Sequence, residues 1–143
     1  MAATPSFPSP NVRLFNVLIH SSDNLVMETT IIATLEILFD EGADINAYLA
    51  ANGMTPLHIA VCRGYRKVVS FLLNYKEKVD IDAVNNYGKT ALCYACENDN
   101  PHILFELLKH GATKNLDRAR EALAFVKEDS FDFFQFLLSQ TYS

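Results

Sequence analysis

Gly53-Met54-Thr55-Pro56-Leu57-His58-Ile59-Ala60 is the stretch whose reading decides the fold. A threonine hydroxyl accepts an orphan backbone N–H at the start of a helix, and a proline in the first helical position has no N–H to leave unpaired. Thr55 and Pro56 therefore predict a helix start. Leu57, Ala60 and Val61 follow at helical spacing, and Gly64 stands where a left-handed residue ends a helix of about two turns. So short a helix does not persist alone. Beyond a brief turn, Val68, Val69, Leu72 and Leu73 mark a second apolar stripe. The unit is a pair of helices that neighbouring units must bury.

The same phrase returns downstream. Gly88-Lys89-Thr90-Ala91-Leu92-Cys93-Tyr94-Ala95 repeats Gly53 to Ala60, with Leu107-Leu108 in the places of Leu72-Leu73, so that Thr90 stands 35 residues after Thr55. On these residues the chain resembles the ankyrin-repeat family, whose period is about 33 and whose first helix is headed by Thr-Pro-Leu-His. The two surplus residues fall between the second helix and the next turn, which predicts a surface insertion at Glu77-Lys78. The resemblance implies an all-α solenoid of stacked helix-turn-helix units with hairpin-like finger loops.

Outward from the centre, residues 1–10 hold three prolines and no basic residue and read as a disordered lead without the features of a secretory signal. Residues 11–143 read as one ankyrin-repeat domain: a cap over 11–46, repeats over 47–82 and 83–115, and a cap over 116–143. Residues 11–20 and 30–39 are the predicted helices of the first cap. Between them residues 21–28, including Leu25-Val26, read as a lengthened and mobile loop. Gly42-Ala43-Asp44-Ile45-Asn46 opens the first finger, with Tyr48 and Leu49 expected at its exposed tip. Asn98-Asp99-Asn100 replaces the glycine turn, Asn and Asp tolerating the left-handed conformation, and Pro101 opens the next helix. Residues 118–127 and 130–138 form the last pair. The latter carries Phe131, Phe133, Phe134 and Phe136 on more than one side, unlike a solvated terminal repeat. Core packing against Leu123, Phe125 and Val126 is one reading; self-association through Phe133 and Phe136 is the other.

Composition narrows the function classes. Half of the 143 residues are apolar, enough for a core, and the formal net charge is −5 with both signs interspersed. Without clustered Lys and Arg, nucleic acid is disfavoured as a partner. The apolar runs fall short of the roughly 20 residues that a membrane span requires. Three cysteines, all inside first helices, fit a reducing cytoplasmic or nuclear setting better than a disulfide framework.

Little in the chain promises chemistry. Cys93 and Cys96 form a C-x-x-C, but inside a predicted helix, and no second ligand pair completes a zinc site. His58 belongs to the helix head, where the resemblance implies a structural histidine bonding toward the loops. No nucleotide-binding, hydrolase or metalloprotease motif is present, and neither a cofactor nor a metal is expected. The resemblance implies instead a non-catalytic adaptor, scaffold or inhibitor that binds a protein partner on its concave face. The residues carried over to that face are Tyr48, Leu49, Asn52, Met54 and Arg63 from one finger and first helix, and Asn86, Tyr87, Lys89, Glu97 and Asn98 from the next. A variant is a pathogen or viral effector imitating a host scaffold, suggested by a compact array with irregular caps. The rival from another class is a redox or metal-dependent protein using Cys93 and Cys96.

Overall fold

A computed structural model of the chain describes residues 8–21, 25–98 and 100–112. Its helices are α1 (Pro10–His20), α2 (Leu25–Asp40), α3 (Pro56–Cys62), α4 (Arg66–Leu73), α5 (Ala91–Glu97) and α6 (Pro101–Lys109). No strand occurs among the described residues. Each helix packs on its partner within a pair. Across pairs, α1, α3 and α5 form one row, and α2, α4 and α6 form a second row outside it.

The helix starts follow from local chemistry. Ser9 Oγ accepts the Val12 N–H at 3.4 Å ahead of Pro10, and Asn100 Oδ1 accepts the Ile103 N–H at 3.2 Å ahead of Pro101. At α3 the predicted cap is present, with Thr55 Oγ1 accepting the His58 N–H at 3.3 Å. Between α3 and α4, Gly64 has φ +71° and the Tyr65 N–H donates to the Ala60 carbonyl at 3.0 Å. The next pair closes with the corresponding bond, Asn100 N–H to the Ala95 carbonyl at 3.1 Å. Asn98 and Asn100, at φ −89° and −114°, are not left-handed, and Asp99, which aligns with Gly64, lies outside the described residues.

One boundary differs from the sequence expectation. Helix α2 begins at Leu25, not near residue 30, so the second half of the anticipated loop, residues 25–28, is helical. The added turn carries Glu28, which is buried. Its carboxylate accepts the Lys67 N–H at 3.0 Å, at the start of α4, where Tyr65 supplies no side-chain cap. A favourable anion at a helix N-terminus thus accompanies the longer helix.

The core is one continuous cluster from Leu14 to Ala112, and Leu18, Leu35, Leu57, Leu72, Leu92 and Leu104 are among its fully buried side chains. Phe39, Phe71 and Tyr75 pack together between α2 and α4, the Phe39 and Tyr75 rings lying 4.8 Å apart. Lys76, Glu77 and Lys78, around the predicted insertion, are exposed. The predicted carboxy-terminal cap, with Phe133 and Phe136, and the first seven residues lie outside the described residues.

Candidate functional site

Two finger loops project between the helix pairs, and asparagines build them. In the first, Asn52 Oδ1 accepts the Met54 N–H at 3.0 Å, while the Leu49 N–H reaches the Met54 carbonyl at 2.9 Å. In the second, the buried Asn85 accepts the N–H groups of Tyr87 and Lys89 at 3.0 and 3.1 Å and donates through Nδ2 to the Tyr94 hydroxyl at 2.7 Å. The Asn86 N–H donates to the Asn52 carbonyl at 2.9 Å, so the fingers are joined to each other. At this crossing Gly53, at φ +74°, leaves no room for a side chain: a Cβ there would meet Asn86 Oδ1 at 2.8 Å. Near the other end, the Asn46 amide spans the same loops, donating to the Lys78 carbonyl and accepting the Asp80 N–H at 2.7 Å.

His58 joins the helix head to the second finger. Its Nδ1 accepts the Thr55 N–H at 3.1 Å and its Nε2 donates to the Lys89 carbonyl at 3.0 Å, which requires the neutral Nε2–H tautomer. Burial pushes the imidazole pKa below its usual value, outweighing the backbone carbonyls and Asp80 that favour the charged form. This histidine is a structural link between repeats.

The residues carried over as partner-binding divide into two groups. Tyr48 and Tyr87 stand 71% and 64% exposed, and Asn86, Glu97 and Asn98 are exposed beside them. Leu49, expected at the tip, is instead half-buried against the core, as is Met54, because the Leu49 to Met54 backbone bond turns both side chains inward. Asn52 spends its side-chain oxygen within its own loop and its backbone carbonyl on the Asn86 N–H. The Arg63 guanidinium donates to the Ser21 carbonyl and to the Tyr65 hydroxyl, bracing α3 against the end of α1. Lys89 pairs with Glu97 at 2.7 Å and lies 5.4 Å from the Tyr94 ring centroid. Sequence reasoning missed Asn85 and Tyr94, although an asparagine two residues before the finger's tip is the residue type that folds such a turn.

Cys93 and Cys96 are both buried, and burial pushes the Cys96 thiol up to about 12, so it is held as the unreactive thiol. Among the described residues no three His, Cys, Asp or Glu side chains gather as a metal set. Also among them, no helix is long and apolar enough to cross a membrane. A depression of about 420 Å³ on the outer row sets Glu28 and Glu106 among Arg66, Lys67 and His102, so it mixes both signs of charge.

Stacked helix pairs with bonded, projecting loops define a repeat solenoid, in which each unit is buried by its neighbours. The chain belongs to the ankyrin-repeat family: the family model for ankyrin repeats, in three copies, matches residues 25–118. It is similar to the NF-kappa-B inhibitor cactus of Drosophila yakuba, 37% identical over 89 residues that make up 62% of this chain and 18% of the relative. It is also similar to an ankyrin repeat protein of Rickettsia bellii, 38% identical over 82 residues, 52% of this chain and 49% of that one. A third relative is I-Kappa-B like protein F2 of Microplitis demolitor bracovirus, 32% identical over 94 residues, 66% and 56% of the two chains. The chain thus spans under a fifth of cactus and about half of the other two.

Proposed function

We propose that the chain is a non-catalytic protein-binding module that docks one protein partner on the face formed by its two fingers and the adjoining ends of α3 and α5. The observation that carries this is the pair of exposed tyrosines, Tyr48 and Tyr87, on loops fixed to each other by the Asn86 to Asn52 bond. Rigidly presented tyrosine is among the side chains that dominate binding energy at interfaces. The printed names of cactus and the bracovirus protein support the inhibitor form of this reading, with NF-kappa-B as the partner class to test. The bacterial and viral relatives support a role at a host–pathogen interface. The three free cysteines favour a reducing, cytoplasmic or nuclear setting.

Calorimetric titration of the purified chain with Drosophila NF-kappa-B tests the reading, with Tyr48→Ala/Tyr87→Ala beside the wild type. Binding that weakens at least about tenfold in the variant, at unchanged helical circular dichroism, is the expected outcome. No binding removes NF-kappa-B as partner; equal binding by both proteins moves the site off the fingers.

A further inference from the structure

The fingers and the first helices behind them carry little charge. Across residues 45–62 and 83–96 the single Lys, Arg, Asp or Glu is Lys89, in a chain that carries 12 basic and 17 acidic residues. That one cation is already answered, its ammonium 2.7 Å from the Glu97 carboxylate. Fixed charges flank these stretches at Asp44, Arg63, Asp82 and Glu97; Asp44 accepts the Asn46 N–H at 2.8 Å, and the Arg63 guanidinium is turned to the Ser21 carbonyl and the Tyr65 hydroxyl. His58 is buried in its neutral tautomer. What the fingers present outward is therefore Tyr48, Tyr87 and the 41% exposed Val84, with the side-chain amide of Asn86 among them.

A charged segment brought against such a surface loses hydration and finds no opposite charge to replace it. An uncharged segment loses little, because apolar side chains cover the rings and Val84 while the Tyr48 hydroxyl and Asn86 return hydrogen bonds to its backbone. Resting on the finger-face reading above, we infer that this surface takes an uncharged segment of a partner protein, rich in apolar side chains, and that its affinity is nearly independent of ionic strength.

The test is selection of random peptides displayed on phage against the immobilised full chain. The enriched peptides are then synthesised, and their Kd is measured at low and high sodium chloride on the wild type and on Tyr48→Ala/Tyr87→Ala. The expected result is a pool depleted in Asp, Glu, Lys and Arg, with Kd changing less than about twofold as salt shortens the screening length from roughly 30 to 3 Å. On the double variant Kd rises at least about tenfold. Enrichment of charged peptides whose Kd climbs with salt, still sensitive to the tyrosines, overturns the inference and leaves the finger face standing. Peptides indifferent to the tyrosines overturn the finger face itself. A selection that enriches nothing also overturns the inference.

Discussion

The heads of α3 and α5 start from one phrase and end in different chemistry. At α3, the Thr55 hydroxyl and the His58 ring form a reciprocal cap, and the same ring reaches the Lys89 carbonyl of the next finger at 3.0 Å. At α5, Cys93 stands where the histidine would be. Its sulfur lies 3.5 Å from Thr90 Oγ1, a contact within its own turn, and the Thr90 side chain makes no cap bond. The helix nevertheless forms, with Ala91, Leu92, Cys93, Ala95 and Cys96 buried. Burial of one face is thus enough to hold a two-turn helix in a stack, while the histidine adds a directional bond between successive units.

Substitutions sharpen this comparison in descending order of effect. Leu57 and Leu92 are both fully buried, so Leu57→Ala and Leu92→Ala each cost about 2 to 5 kcal/mol in urea unfolding. A mild effect at either position breaks the claim that both heads share one packing role. His58→Ala leaves the Thr55 N–H and the Lys89 carbonyl without their partner and costs about 1 to 3 kcal/mol. Cys93→Ala removes no bond between repeats, so it costs less; equal losses contradict the asymmetry. Thr55→Ala removes the cap oxygen for about 1 kcal/mol, and Thr55→Ser restores most of it.

The smallest effect is on pH. Because the folded protein holds His58 below its ordinary value of 6.5, the unfolded chain binds the proton more readily. The stability that His58 contributes is complete above about pH 6.5 and declines as the pH falls through and below that value toward the folded-state pKa. His58→Gln removes this part of the pH dependence of the urea midpoint, whereas Cys93→Ala leaves it in place. A wild type and His58→Gln with parallel pH profiles contradict the lowered imidazole pKa.

The fold was legible because its signals are local. Thr55-Pro56 and Pro101 fixed helix starts by backbone chemistry, and Gly64 fixed a turn by its positive φ. The start of α2 was not legible, since it involves Glu28 meeting the Lys67 N–H 39 positions away, a contact with no periodicity of its own. The face was half legible for the same reason. Tyr48 and Tyr87 stand out as their positions in the repeat imply, but the inward turn of Leu49, the bond from Arg63 to Ser21 and the burial of Asn85 are set by tertiary partners. Residue type alone carried no record of which polar groups were already spent.

The central claim is that the finger face is the docking surface, and chemical-shift mapping tests it most directly. Isotope-labelled chain is titrated with a protein or peptide that binds it, and the backbone amides are followed by NMR. The account predicts that the largest shifts fall on residues 46–54 and 84–89 and on the ends of α3 and α5, with α2, α4 and α6 nearly silent. Shifts concentrated instead on the outer row, around Arg66, Lys67 and Phe105, would contradict it.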